Sequence, residues 1–449
     1  MTMLTALGSP AQTGLFLGGA YAVLALLSPR AALWILIPTI ALAGEIQVGR
    51  VLIRPDDLML SVLVVVWAGR RLLSPPRTST PIDRPLAAYF AIGLAATLWG
   101  AAIGTADLWG VSKLSASGLH LLKRLEFVLY FCVLRDTLRS TQDVRRFVYL
   151  FMASLAAMSI SSFGRFQETG HIALGPEGTP IHEPALASML NVALSLGFLV
   201  NSRRAATSAL AAAILLGSLW VLPYSYGRNY LVATLLMLAI VGFSRKPSIL
   251  LSLPILGIFL WIALPALPQH IMARFSTLGS VFAPEASAEG VSIVDRLMPG
   301  ITHTWEVLTS SPLLGWGLGS VALGRIDNEY AGQIVYTGLL GFAIFLWLAS
   351  RIARTARETY RTAKQRDLPE LPLIAGLQHC LLGYALYSFF SPSISAARAG
   401  AFFFTVVGLV AVLHRELVTA PASVEVPVSE AADPLYSGRS RSGGMGWTT

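Results

Sequence analysis

Charge is what this sequence has least of. Asp, Glu, Lys and Arg make up 13% of its 449 residues and the hydrophobic set 54%, whereas a soluble domain carries roughly 25% charged residues. A deficit of that size means that most side chains never meet water. This excludes the two or three soluble domains that the length alone would allow. Cysteine is scarce as well. Cys132 and Cys380 both lie in apolar segments, which excludes a disulfide framework. The chain has no Walker loop, no HExxH pair, no zinc-ligand spacing and no repeat of 20–50 residues, so neither a metal nor a nucleotide cofactor is expected. Gly315-Trp316-Gly317-Leu318-Gly319 has the glycine content of a phosphate loop but no βαβ setting, and reads as a flexible turn. No basic stretch precedes the first apolar run, so the first membrane helix, rather than a cleaved signal peptide, is expected to direct insertion.

What is present is a series of continuous apolar runs. A helix needs about 20 apolar residues to cross the hydrocarbon. Runs fall at about 12–28, 31–45, 56–70, 86–104, 117–134, 146–164, 184–201, 206–222, 229–244, 248–266, 331–350, 371–390 and 399–414. They are too long and too continuous for barrel strands. The expected fold is therefore an all-α polytopic bundle of twelve to fourteen spans. The formal net charge of +9 would suggest a nucleic-acid partner in a soluble protein. Here the basic residues cluster between runs and read as topology signals. Arg70, Arg71, Arg77 and Arg84 share one connection, Arg135, Arg139, Arg145 and Arg146 another. Arg203 with Arg204, Arg245 with Lys246, and the group Arg351, Arg354, Arg357, Arg361, Lys364 and Arg366 mark three more. The positive-inside bias makes these five connections cytoplasmic. Thirteen spans put the N-terminus outside. Residues 1–417 form the membrane domain, and the Ser-, Gly-, Pro- and Glu-rich stretch 418–449 reads as a disordered cytoplasmic tail.

The alternate connections, about 105–116, 165–183, 223–228, 267–330 and 391–398, are then external. The longest, 267–330, is too polar to cross. It carries Val294, Leu297, Ile301, Trp305 and Leu308 on one helical face, as a helix lying on the outer interface would, with Pro299 expected in its first turn.

Several polar residues gather on this outer side. Arg228 stands at the start of a span, where unpaired N–H groups and the helix dipole favour an anion; snorkelling to lipid headgroups is the competing reading. Arg274 and Arg296 run against the positive-inside bias, as an anion clamp would, or pair with Glu285, Glu289 or Asp295. Asp327-Asn328-Glu329-Tyr330 precedes a span and offers a carboxylate base or a helix cap, and His303 is a further candidate base. Lys123, Arg124 and Glu126 fall within the fifth run, either facing a cavity or marking a helix that starts later. Arg165, Glu168, His182, Glu183 and Arg398 also face outward on this topology.

These pieces resemble the O-antigen ligase and polysaccharide polymerase family of membrane glycosyltransferases, over roughly residues 45–350. Gly49-Arg50-Val51-Leu52-Ile53-Arg54-Pro55-Asp56-Asp57 is similar to the family's N-terminal hairpin entry. Leu122-Lys123-Arg124-Leu125-Glu126, then Arg165-Phe166-Gln167-Glu168-Thr169-Gly170, resemble its middle. Tyr224-Ser225-Tyr226-Gly227-Arg228-Asn229 stands where the family has a Ser-Arg-Gly type turn. The fullest match is ordered: Asp295-Arg296-Leu297, Trp305, Ser311-Pro312-Leu313-Leu314-Gly315-Trp316-Gly317, Asp327-Asn328-Glu329-Tyr330, then Gly338-Leu339-Leu340-Gly341-Phe342. One departure stands out. Asp327 occupies the place where ligases carry the histidine that serves as base. This shifts the expectation from a ligase towards a polymerase and leaves Asp327, Glu329 and His303 as candidate bases.

The resemblance implies a metal-independent enzyme of the bacterial cytoplasmic membrane, its site facing outward. Such an enzyme transfers a glycan from a polyprenyl-pyrophosphate-linked donor to a sugar hydroxyl, alongside membrane lipids and other polysaccharide-assembly proteins. Arg228, Arg274 and Arg296 would neutralise the pyrophosphate. Asp327 or Glu329 would act on the acceptor, with His303, Lys123, Arg124, Arg165, Asn328 and Tyr330 as further contacts. A ligase, attaching a finished glycan to a lipid or protein, is the sibling alternative, and a transporter or flippase the alternative of another class. On the enzyme reading, Arg228→Ala cuts polymer formation by roughly 100- to 1000-fold while membrane insertion is retained. Lipid-linked product profiles and membrane fractionation measure the two, and wild-type polymer yield removes Arg228 from the mechanism.

Overall fold

The computed structural model describes residues 10–44, 46–48, 51–73, 79–104, 113–169, 183–225, 228–245, 247, 293–321, 326 and 328–419. Its helices are α1 (Pro10–Leu27), α2 (Pro29–Leu42), α3 (Pro55–Leu72), α4 (Asp83–Ala102), α5 (Lys113–Thr137), α6 (Thr141–Thr169), α7 (Glu183–Asn201), α8 (Ala205–Val221), α9 (Arg228–Arg245), α10 (Ile293–Ser310), α11 (Glu329–Gln365), α12 (Leu371–Tyr387) and α13 (Ala397–His414). A short antiparallel hairpin, β1 (Ile46–Val48) with β2 (Val51–Ile53), joins α2 to α3. The protein is an all-α membrane bundle. Among the described residues six helices are long and apolar enough to cross a membrane, and four shorter apolar helices accompany them.

Twelve of the expected spans coincide with helices; the run 248–266 lies outside the described residues. Apolar burial sorts the helices into inner and outer positions. In α7 and α13, 83% and 78% of the most apolar stretch is buried, against 28% in α8. α7 and α13 are therefore central, while α8 turns its side chains to lipid. α7 and α12 cross closely enough that a Cβ on Gly197 would lie 2.2 Å from the Gly376 nitrogen. Small residues permit such approach where lipid supplies no hydrophobic drive between helices.

The polar contacts sort by end. At one end lie the Arg30–Asp143 and Arg135–Asp83 pairs, Arg203–Asp367 at 2.5 Å, and Arg415 donating to the Arg135 and Leu138 carbonyls. At the other lie Lys123–Asp57 at 2.7 Å, Arg398–Glu183 and the buried Glu329. This separation agrees with the alternation of the expected connections.

Four expectations are corrected in detail. The basic group 351–366 is not a loop: α11 runs to Gln365, carrying those arginines along a helix about 40 Å long beyond Gly338, longer than the hydrocarbon is thick. α5 starts at Lys113, so Lys123, Arg124 and Glu126 lie well inside a helix that does not begin later. As expected, Arg165 lies near the end of the sixth span, in the last turns of α6, which runs to Thr169. Pro299 stands inside α10, which opens at Ile293, not in its first turn. α10 does present Ile301 and Trp305 outward, 58% and 69% exposed, while Val307 is buried, as an interfacial helix requires. Helical and π-turn structure extends to Thr419, two residues into the stretch expected to be a tail; residues 420–449 lie outside the described residues.

α11 is broken. Gly338 takes φ +66° and ψ −171°, a region open to glycine. A break frees backbone groups, and inside a membrane these need partners. The segment 312–317 supplies them. Trp316 and Gly317 N–H donate to the Val335 and Tyr336 carbonyls at 2.9 and 3.1 Å. Leu339 and Leu340 N–H donate to the Pro312 and Leu313 carbonyls at 2.8 and 3.2 Å. The Gly315–Gly319 turn is thus a packed strap with three positive-φ glycines, not a flexible loop. It lies against α4, where a Cβ on Gly100 would sit 2.2 Å from the Trp316 carbonyl oxygen. Because that contact is backbone, no rotamer relieves it. Gly100→Val should therefore destabilise the protein by about 1–3 kcal/mol and lower its melting temperature in detergent, as scanning fluorimetry would measure; an unchanged melting temperature would show that the strap does not sit where described.

Candidate functional site

The strap roofs a buried polar group at the end opposite the arginine-rich connections. Arg124, on α5, is 7% exposed. Its guanidinium lies over the Tyr89 ring, 4.1 Å from the centroid, a cation–π arrangement strengthened by desolvation. Nη2 donates to Gln333 Oε1 at 3.5 Å, a long contact. Nη1 has no hydrogen-bond partner among the described residues and lies against Gly93, where a Cβ would come within 2.7 Å of it. An unpaired N–H on a buried charge is costly. Beside it is a recess of about 30 Å³, lined by Tyr89, His120, Lys123, Arg124, Leu318 and Ser395, among others. That volume admits one water or one ligand oxygen, not a pyrophosphate.

Glu329 closes the group from below. It is 1% exposed. Its Oε1 accepts from Gln333 Nε2 at 2.7 Å and Ser395 Oγ at 2.8 Å, and its Oε2 from the Ile394 and Ser395 N–H groups at 3.0 and 3.2 Å. Gln333 Nε2 also donates to the Tyr89 hydroxyl at 3.0 Å. Both oxygens are thus taken up by donors of the protein, and Glu329 is not among the residues that line the recess. Glu329 is corrected from candidate base to positioning residue: it pins the α12–α13 turn and, through Gln333, orients Tyr89 beneath Arg124. Asn328 is the N-cap of α11, accepting from Ala331 N–H at 3.1 Å and donating to the Phe389 carbonyl at 3.2 Å. The Tyr330 hydroxyl donates to the Ala385 carbonyl at 3.0 Å. Both brace α11 against α12.

The other expected residues are distributed around this centre. Lys123 bonds Asp57 at 2.7 Å and Glu126 at 2.8 Å, tying α5 to the start of α3, where Arg54 pairs with Asp56. His303 Nδ1 faces Glu306 Oε2 at 3.1 Å, and its ring meets Trp316 edge-on at 6.3 Å, so it stands by the strap. Arg165 is half-buried on α6. Arg228 opens α9 and Arg296 lies in the first turn of α10; their side chains, and all of Arg274 and Asp327, lie outside the described residues. Arg398, 1% exposed, pairs with Glu183 and donates to the Ala43 carbonyl at 2.7 Å, joining α2, α7 and α13. Tyr89, His120 and Gln333 escaped the sequence reading. His120 had a signal, since it precedes Arg124 by four residues and shares its helical face. Tyr89 and Gln333 had none, being ordinary polar residues within apolar runs. Among the described residues no cluster of His, Cys, Asp and Glu could hold a metal.

No family model matches the chain, and no curated protein matches it. The geometry makes a sharp distinction for Glu329. An amide in its place turns one acceptor into a donor facing N–H and O–H groups. Glu329→Gln should destabilise the protein by about 1–3 kcal/mol, measured as a lowered melting temperature. A base would instead lose activity at full stability, the result that would overturn the positioning role.

Proposed function

We propose that this protein is a membrane glycosyltransferase that polymerises polyprenyl-pyrophosphate-linked oligosaccharides on the outer face of a bacterial cytoplasmic membrane. The observation that carries the reading is Arg124: a buried guanidinium with an unpaired N–H, held on Tyr89 beside a recess one oxygen wide. A preorganised donor of this kind suits an oxyanion that forms as a bond breaks. The strap that covers it is the Pro312-Leu313-Leu314-Gly315 run, paired with the Gly338-Leu339-Leu340-Gly341 run. These are the two segments in which the resemblance to the polymerase and ligase family is fullest. With the arginine-rich end taken as cytosolic, the recess faces outward, where lipid-linked donors wait after translocation.

In the proposed reaction an acceptor hydroxyl attacks the anomeric carbon of the donor sugar. The bond from that carbon to the pyrophosphate oxygen breaks, and the pyrophosphate leaves with the bonding electrons. Arg124 takes an oxygen of the leaving group or of the sugar ring's substituents, and Arg228, Arg274 and Arg296 supply the remaining positive charge. His303 receives the hydroxyl proton: Glu306 on Nδ1 leaves Nε2 for the acceptor. Asp327 is the other candidate for that role.

The broken helix α11 favours a transporter as the second reading, since transporters place their binding sites at such breaks. The backbone groups freed at Gly338 are, however, bonded to residues 312–317 and so are already engaged within the protein. Purified protein with a lipid-linked donor tests both. Glycosidic bond formation that falls roughly 100- to 1000-fold in Arg124→Met, with the melting temperature retained, is the expected outcome. Gly93→Ala, which pushes on the guanidinium without removing it, should fall less. Donor movement across vesicles with no bond formed would end the enzyme reading. Single repeat units accumulating in cells lacking the protein fit a polymerase; long unattached chains fit a ligase.

A further inference from the structure

A second, larger cavity lies at the opposite end of the bundle and takes no part in the proposed reaction. It is about 560 Å³ and opens between the α1–α2 turn, the end of α3 and the α5–α6 turn. Arg30, Arg70, Arg71 and Arg139 line it together with Asp136 and Asp143. Four positive charges against two negative leave a surplus of two. Both carboxylates are engaged by the protein. Asp143 pairs with Arg30 and accepts from the Arg139 N–H at 3.3 Å. Asp136 pairs with Arg135 at 2.9 Å and accepts from Trp67 Nε1 at 3.1 Å. The cavity therefore presents a net cationic wall.

Its rim is apolar. Leu27 and Leu73 line the mouth and are 77% and 90% exposed, with the adjacent Leu72 at 88%. They stand at the ends of α1 and α3, the level at which helices leave the hydrocarbon. Trp67, half-buried, lines the cavity with its indole N–H bonded to Asp136, and Trp is enriched at membrane interfaces. A soluble anion has no use for a leucine rim, whereas an acyl chain beneath an anionic headgroup does. Several arginines held at the ends of packed helices are also what headgroup phosphates find between membrane helices.

We propose that this cavity binds the phosphate-bearing headgroup of an anionic lipid, whose chains lie along Leu27, Leu72 and Leu73. The lipid clamps the α1–α2 turn to the α5–α6 turn.

The test uses the full-length purified protein in mild detergent, with phosphatidylglycerol as the probe, phosphatidylcholine as the uncharged-lipid control and inorganic phosphate as the free anion. Native mass spectrometry should retain phosphatidylglycerol and not phosphatidylcholine, and phosphatidylglycerol alone should raise the melting temperature. Arg71→Gln with Arg139→Gln should weaken retention about thirtyfold, the product of two basic contacts near a membrane surface. Arg71→Lys with Arg139→Lys, which keeps the charge, should keep most of it and decides the point if the glutamine variant does not fold. Equal retention of the two lipids overturns the proposal, as does full stabilisation by inorganic phosphate or a charge-removing variant that holds phosphatidylglycerol as tightly as the wild type.

Discussion

Backbone hydrogen bonding across the break in α11 is the constraint on which the site depends. A peptide group without a partner costs several kcal/mol in hydrocarbon, so a helix can be interrupted there only if another segment restores what is lost. The strap 312–317 does so with four bonds, two on each side of Gly338. In the same act it is fixed in space, because its glycines press on α4 at Gly100. Everything near the recess inherits that fixity. Leu318 and Gly319 follow directly from the strap and line the recess, and Trp316 reaches both Ser310 and His303.

Around the break the polar groups are connected in a chain with a direction. Ser395 and the Ile394 backbone hold Glu329, Glu329 holds Gln333, and Gln333 holds Tyr89. Tyr89 then carries Arg124 on its face. The links from Glu329 through Gln333 to Tyr89 are buried, and each partner fixes the rotamer of the next, which is what preorganisation requires. The chain ends at a guanidinium that is not fully satisfied. That open N–H is the feature on which the proposed function rests.

Charge divides the molecule lengthwise. At the end holding the recess the ion pairs are buried, both the inter-helical Arg398–Glu183 and the local Arg54–Asp56 at the start of α3. At the other end the arginines are numerous and more exposed, such as Arg203, whose side chain is 81% exposed. Buried pairs fix helices relative to one another at a desolvation cost, whereas exposed arginines interact with headgroups and solvent. The two ends therefore differ in how their charge is held, enclosed among helices at one and more open at the other.

The helices were legible in the amino-acid sequence because membrane insertion is a local property: an apolar run of sufficient length must be helical wherever it packs. The same holds for the alternation of arginines, for the cap at Asn328, and for the outward face of α10 at Ile301 and Trp305. What lay beyond local reading was every decision made by a distant partner. Glu329 reads as a reactive carboxylate until Ile394 and Ser395 are brought onto it. The Gly315–Gly319 run reads as a loose turn until Gly338 and Gly100 close on it from two other helices. Lys123 and Arg124 are neighbours with the same charge, yet Lys123 meets the carboxylates of Asp57 and Glu126 while Arg124 lies over Tyr89 with one N–H unpartnered among the described residues. Hydropathy and charge act along the chain and so are written in it; hydrogen-bond saturation depends on which groups meet in space, and only tertiary packing assigns it.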